Sequence, residues 1–525
     1  MARTGDGARR LRRLGGLFAL CAALVLVSCS LSRGTTFPDI EPSLTTATGQ
    51  TEGSGTEPNP EPTGPDPIRI RLAVPFGQDG AEALRLLFLA RESGQLPEDP
   101  GRPIGHQISL DELSAFNAPL EFDVLRVAPE RGVSSEQARL WQAAGSLPDI
   151  LYLSQAAATP GLDRLLPLDE ILFDNDLLSP ERLFPFASDI ARRGVTVYGL
   201  PYLASIPLVG YNLAEIDRLG LARPEPLWTW ATWSAWLKLL QAALDADGTG
   251  TSASVMEPLR ASEDPQALRL HLERAVFIQE RLSDFLPYLA ASGSSAGWAM
   301  WDKVRFAADS PVFETRAVWL RQLALRSGSW DMLTEEEQSL ALAGASRLPD
   351  ERLVCRLIDS ASWTTRDDTW LAGFLPCGPL TDQEEDEGAV YRMPFAIRIL
   401  AVSRTTQWPE ESARLAAFLA LDTDSLLLQS RFDTYEGLVP LVREPFVWQT
   451  MLDRQVNGAL LLQAFACLPN GYAGGQQLVP AWDEVVREAF GDVGSQYLTE
   501  AEADEAASYF DQIGQTISRI LREGG

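Results

Sequence analysis

Histidine is almost missing: His106 and His271 are the only two in 525 residues, and they stand 165 positions apart. An imidazole-based metal centre, or a hydrolytic triad with histidine as its base, has little material to work with. Positive charge is scarce as well, 44 Lys plus Arg against 72 Asp plus Glu, a net −28. Such a field repels phosphate backbones and argues against a nucleic-acid partner. No phosphate-binding glycine loop is present. Carboxylate chemistry stays open, because a glycosidase needs two carboxyls about 5 to 10 Å apart and sequence alone does not pair them. The like-charge runs Glu335-Glu336-Glu337 and Glu384-Glu385-Asp386-Glu387 read as helix ends or solvated loops rather than catalytic groups. No cofactor or metal is implied.

The composition, 45% apolar and 22% charged, is globular and the length suits two or three domains. After residue 28 no stretch approaches 18 uninterrupted apolar residues, so no later segment is expected to span a membrane. Near the start, Arg9, Arg10, Arg12 and Arg13 precede an uncharged run from Leu14 to Val27, the n-region and h-region of an export signal. Fourteen helical residues reach only about 21 Å, short of a bilayer core. The sequel Leu26-Val27-Ser28-Cys29 resembles a bacterial lipobox, which implies lipidation of Cys29 and a mature chain that begins there; an ordinary signal peptide is the alternative. Loss of residues 1–28 removes five arginines and one aspartate, taking the net charge from −28 to −32. Residues 29–67 are rich in Thr, Pro, Gly and Ser, a composition expected to form a disordered tether reaching roughly 35 Å.

From Ile68 the pattern changes. Ile68, Ile70, Leu72 and Val74 alternate with Arg69, Arg71 and Ala73, which predicts a strand. A helix follows over 79–91, a strand over 120–127, a helix over 134–144 and a strand over 149–153. That alternation predicts a parallel sheet with crossover helices, with ligands beyond the carboxyl ends of the strands. Ser154 and Gln155 are therefore candidate ligand contacts. Thr229 is a candidate N-cap for a helix carrying Trp230, Trp233, Leu237, Leu240 and Leu244 at helical spacing, a stripe that reads as core. The string Asp245 to Gly250 has too few acidic positions for a calcium loop and reads as a surface turn.

Three stretches resemble the maltose-binding-like, carbohydrate-type extracellular solute-binding proteins of ABC importers. The first is Pro148 to Leu153 with Leu166-Pro167-Leu168-Asp169. The second is Val197-Tyr198-Gly199-Leu200-Pro201-Tyr202, then Val209-Gly210-Tyr211-Asn212, Leu219-Gly220-Leu221 and Thr229-Trp230. The third is the strand Ala396 to Ser403, a helix containing Glu411 to Leu419, and Gly437-Leu438-Val439-Pro440. The resemblance implies an α/β fold of two lobes around a ligand cleft, the periplasmic-binding-protein (Venus flytrap, class II) arrangement with strands crossing a hinge. It divides the chain into a signal peptide (1–28), the tether (29–67), a first lobe (68–203 and 377–440) and a second lobe (204–376 and 441–525). It implies no catalysis: a monomeric, lipid-anchored receptor on the outer face of the cytoplasmic membrane, passing a small solute, a sugar or oligosaccharide, to permease subunits. A surface glycoside-acting enzyme and a ligand-sensing lipoprotein without import are the alternatives.

Sugar binding needs flat apolar faces and planar polar groups. Trp363, after the small-residue turn Ser360-Ala361-Ser362, matches the place of a stacking tryptophan in the family's maltodextrin binders; a core tryptophan is the other reading. Tyr202, approaching the hinge, Tyr472 in a glycine-rich loop, and Trp298 and Trp301 after Gly293-Ser294-Ser295 complete the candidate set. Leu153 to Ala158 lacks the aromatic and charged clamps of the maltodextrin binders, and Ser93 to Asn117 enlarges the first lobe. Cys355 and Cys377 are a candidate disulfide in an oxidising exterior, with buried unpaired thiols as the alternative.

Overall fold

The computed structural model describes residues 67–93, 120–154, 158–172, most of 182–272, 315–322, 333–345, 354–363, 370–376, most of 393–467 and scattered positions from 511 to 519. These belong to a compact unit spanning Pro65–Gly525; a separate unit comprises Met1–Gly64. Two larger sheets organise the described residues, beside a two-stranded ribbon of Arg192–Arg193 and Thr196–Val197. The chain lays down β1 (Ile68–Val74), β2 (Leu120–Arg126), β3 (Ile150–Ser154) and β4 (Leu200–Ser205) in the first sheet. It continues into a second with β5 (Pro207–Asn212), β6 (Cys355–Asp359) and β7 (Trp370–Phe374), then returns to the first with β8 (Ala396–Val402) and β9 (Val439–Pro440). The helices, in chain order, are α1 (Gln78–Glu92), α2 (Ser135–Ala143), α3 (Leu213–Arg218), α4 (Trp230–Ala246), α5 (Ala253–Ala261), α6 (Pro265–Leu272), α7 (Glu335–Ala345), α8 (Pro409–Leu421), α9 (Thr423–Gln429), α10 (Pro445–Leu452) and α11 (Gly458–Cys467).

The first sheet has the spatial order β9-β4-β8-β3-β1-β2. Strands β2 and β3 run parallel to β1, whereas β8 is antiparallel to both β3 and β4. The carboxyl ends of β1 to β4 therefore share one edge with the start of β8. Helices cover both faces, so its inner strands are apolar runs rather than strict alternations: Leu72, Ala73 and Val74 are all fully buried, as are Ile399, Leu400, Ala401 and Val402. On one face α1 and α8 pack Phe88 against Phe418, with ring centroids 5.3 Å apart. On the other face Trp448 of α10 and Phe465 of α11 meet Phe184 edge-on.

The second sheet has the order β6-β5-β7, all pairs antiparallel. Its Tyr211 packs against α4, where Trp233 donates from Nε1 to the Tyr211 hydroxyl at 3.2 Å. Trp230, Trp233, Leu237, Leu240 and Leu244 are buried as the helical spacing predicts. Thr229 accepts from the Thr232 amide while Thr232 accepts from the Thr229 amide, a reciprocal cap that contributes about 1 kcal/mol. After α4 the chain turns as expected. Asp245 accepts from Gln241 and Ser252 within the protein and Asp247 pairs with Arg218 at 2.8 Å.

The acidic run at 335–337 forms the first turn of α7, a helix end, but not a wholly solvated one. Glu337 turns inward, 4% exposed, and accepts two hydrogen bonds of 2.7 Å from Arg260 and one of 2.8 Å from the Thr334 amide. Burial, the largest single influence, pushes its pKa up; the hydrogen bonds and charge of Arg260 and Thr334 together outweigh it, leaving the carboxyl below its usual 4.5. A depressed folded-state pKa stabilises the native protein above the unfolded value, and that stability is lost as pH falls through the folded value. Glu337→Gln is expected to cost about 1 kcal/mol at neutral pH, the pair being part-exposed on its arginine side. Melting curves of variant and wild type should converge as pH falls below 4.5; a constant gap across that range would show that the carboxylate charge is not what stabilises.

Candidate functional site

Strands β4 and β5 are consecutive yet belong to different sheets, and a single residue, Ile206, separates them. The switch is fixed by hydrogen bonds rather than left as a free joint. The Ile206 amide donates to Ser360 Oγ at 2.8 Å, and the Ser360 amide donates to the Ile206 carbonyl at 2.9 Å. Ser360 Oγ in turn donates to the Gly437 carbonyl at 2.5 Å, tying the turn after β6 to the segment that enters β9. Beside it, Ser205 Oγ donates to Asp359 Oδ2 at 2.6 Å, and the other Asp359 oxygen accepts the Ala361 amide at 2.9 Å. Ser360 is fully buried and Gly437 itself donates to Gln455 Oε1 at 2.9 Å. Three chain segments thus meet within hydrogen-bond reach where one sheet gives way to the other.

This junction stands at the edge of the first sheet that carries the ends of β3 and β4. In register, Ser205 lies opposite Ala396 and Ser154 opposite Arg398. In open α/β sheets the strand ends where connections reverse are where ligands sit. The groups available there are Ser154, half-buried at the end of β3; Arg398, 7% exposed; and the Ser205–Asp359 pair. Tyr152, behind them, donates to the Pro129 carbonyl at 2.8 Å. Burial pushes its pKa up, Arg398 draws it down, and Asp359 and Glu130 push it up. Tyr152 therefore remains a neutral donor.

The other sequence candidates fall in different places. Tyr202 is fully buried in the first-sheet core: its hydroxyl donates to Gln429 Oε1 and shares a 2.7 Å hydrogen bond with Tyr435 Oη, and burial drives both phenol pKa values well up. It faces core because β4 is central and its residues are covered on both sides. Trp363 is 4% exposed. Its ring lies over Gly210, where an added Cβ would stand 2.7 Å from Cζ3, and it meets Trp370 edge-on at 6.4 Å. Arg356 lies 5.7 Å from the Trp363 centroid and 4.6 Å from that of Trp370. Trp363 thus packs along the second sheet, directly after the turn at 360–362. Cys355 is buried at the start of β6, opposite Tyr211. Gln155, Trp298, Trp301, Tyr472, Cys29 and Cys377 lie outside the described residues, as do the Glu384–Glu387 run and most of the Ser93–Asn117 insertion.

Arg398, Asp359 and Ser205 were not singled out by sequence reading. One signal was available for Arg398, the only charge inside the apolar run Ala396-Ile397-Arg398-Ile399-Leu400-Ala401-Val402. Among the described residues no group of three or more His, Cys, Asp or Glu is placed to hold a metal ion, and no helix is long and apolar enough to cross a membrane.

No protein-family model matches the sequence, and no curated protein matches it. Solved structures do. An ABC substrate-binding protein of Listeria monocytogenes, in complex with cycloalternan, superposes with a TM-score of 0.55 at 13% identity, covering 86% of this chain and 99% of its own. The sugar-binding protein MalE of Xanthomonas citri gives 0.55 at 15% identity over 87% and 98%. UgpB of Mycobacterium tuberculosis, in complex with glycerophosphocholine, gives 0.51 at 14% identity over 88% and 99%. At such identities the shared property is the fold, and it extends over nearly the whole of each neighbour. The chain therefore has the two-lobe α/β fold of the MalE-like ABC solute-binding proteins, with the Ile206 switch between its two sheets.

Proposed function

We propose that this protein is an exported, lipid-anchored solute-binding protein that holds a small solute, a sugar or oligosaccharide, between its lobes and passes it unaltered to an ABC permease. The observation that carries this reading is the one-residue passage at Ile206 between two separate sheets, beside strand ends that present Ser154, Arg398 and Asp359. A clamp of this kind closes because the solute touches both halves and so favours the closed population by its differential affinity. The named ligands of the neighbours in this fold, a cyclic sugar and a glycerophosphodiester, set the size and polarity of solute to expect.

The lobes are proposed as 68–203 with 377–440 and 204–376 with 441–525, save that α10 and α11 cover the first sheet and so go with the first lobe, the chain crossing between the sheets at Ile206. Ser154 and Gln155 would contribute from the first lobe, and Trp298, Trp301 and Tyr472 would supply apolar faces. Tyr202 and Trp363 would support the walls from within the core. Cys29 would carry the lipid, residues 29–67 would serve as tether, and the protein would act as a monomer outside the cytoplasmic membrane. Cys355 and Cys377 would pair in that oxidising setting.

The test is a thermal-shift screen of the mature chain against sugars, polyols and amino acids, followed by calorimetry. A ligand at a hundred times its Kd should raise native stability by about 2.7 kcal/mol. Stabilisation by at least one sugar or polyol, recovered unchanged after incubation, is expected. Stabilisation by amino acids alone, or cleavage of an oligosaccharide, would overturn the reading. In the full chain, Cys29→Ser should move the protein from the membrane fraction to the soluble one.

A further inference from the structure

Among the described residues, Arg398 is the group at the strand-end edge whose chemistry the fold leaves unfinished. It sits on the central strand β8, between β3 and β4, and is 7% exposed. A guanidinium cannot shed its proton, so the charge is buried with the side chain. It donates from Nη1 to the Ala396 carbonyl at 3.0 Å and from Nη2 to the Glu130 carbonyl, while Nε, enclosed, has no partner. Both acceptors are neutral backbone oxygens, and no carboxylate pairs with it among the described residues. Three other buried or half-buried arginines meet carboxylates instead: Arg260 meets Glu337, Arg91 meets Asp422 and Asp424, and Arg182 meets Glu444. Burying an ion costs several kcal/mol unless a counter-charge offsets it.

A positive charge without an ion-pair partner among the described residues is thereby fixed at one spot, with the Asp359 carboxylate nearby, in a chain whose net charge is −28. The spot is the sheet edge beside Ser154 and the hinge pair Ser205–Asp359, where the proposed solute lies. We propose that the solute carries an anionic group, carboxylate or phosphate, and that this group is held by Arg398 with the Ser154 hydroxyl beside it. The inference rests on the solute-binding reading above and narrows it from sugars in general to acidic ones. The anion exchanges for the Glu130 carbonyl on the guanidinium, a charge-assisted bond replacing one to a neutral acceptor, with roughly twice its strength. Exchange removes one of the bonds on the 128–132 turn, which the Gly132–Ala128 and Tyr152–Pro129 hydrogen bonds continue to hold.

The experiment compares stereochemically matched probes on the mature protein: a neutral hexose, the corresponding uronic acid and the hexose 6-phosphate, each by calorimetry, with free acetate and phosphate as controls. Wild type is expected to prefer an acidic sugar over its neutral counterpart, the two acidic arms distinguishing carboxylate from phosphate. Arg398→Gln should weaken the acidic sugar by roughly tenfold to a hundredfold, and by more than it weakens the neutral sugar, with Arg398→Lys recovering part of the loss. Equal affinities for neutral and acidic sugars, binding of neutral sugars alone, or unchanged affinity in Arg398→Gln would overturn this inference while leaving the solute-binding reading intact. Binding of no probe and no sugar or polyol would overturn both. The wild-type comparison uses no variant and stands even where Arg398→Gln does not fold.

Discussion

Gly437→Ala should cost about 3 kcal/mol or more of native stability in urea unfolding, well above what its backbone conformation alone demands. Two effects combine at this residue. Its φ is +72°, a left-handed conformation that a β-carbon disfavours by about 1 to 2 kcal/mol. In addition, a Cβ placed there would stand 1.9 Å from the Ser360 carbonyl oxygen and 2.8 Å from Ala361 Cα. Those atoms are backbone and cannot swing aside. The turn after β6 would have to retreat, breaking the Ser360 hydrogen bonds to Ile206 and Gly437 that fix the switch between the sheets. Gly220, just past the end of α3, separates the two effects: its φ is +67° but nothing lies within 4 Å of an added Cβ. Gly220→Ala should therefore cost only about 1 kcal/mol. Equal losses in the two variants would mean that the close approach at Gly437 has no energetic consequence, and the hydrogen-bonded junction would lose its claim to rigidity.

Much of the first sheet could be read from periodicity because its strands and flanking helices follow short-range rules. The alternation at 68–74 and the cap at Thr229 are local signals, and the elements lie where those signals put them. The apolar run at 396–402 was likewise legible as a strand, but its neighbours were not. Pairing of Arg398 with Ser154 and of Ala396 with Ser205 joins residues 244 and 191 positions apart, and nothing local in the sequence specifies that. The junction at Ile206 was legible only through resemblance, since a serine such as Ser360 acquires its role from a carbonyl at Gly437. Glu337 shows the same limit from the other side. A glutamate in a run of three looks solvated until Arg260 is brought to it by α5.

The reading of Trp363 turns on the same distinction, and truncating it gives the second large effect. Trp363→Ala should destabilise the protein by about 3 to 5 kcal/mol, the usual range for deleting a buried aromatic side chain. The ring lies over Gly210 and is 4% exposed. Its loss also leaves Arg356 stacked on Trp370 alone. Gly210 provides an internal control. Gly210→Ala in the wild type forces a Cβ to 2.7 Å from Trp363 Cζ3 and 3.0 Å from Ile358 Cδ1, and should be destabilising. In a Trp363→Ala background the first of those clashes is gone and the added methyl enters a cavity. The second substitution should then cost less than it does in wild type, with a coupling of about 1 kcal/mol or more between the sites. A stacking platform at the ligand face would behave otherwise: Trp363→Ala would leave the melting temperature unchanged, abolish sugar affinity and show no coupling to Gly210. That outcome would return Trp363 to the binding surface and place the second lobe's wall on the opposite side of the sheet from Tyr211 and α4.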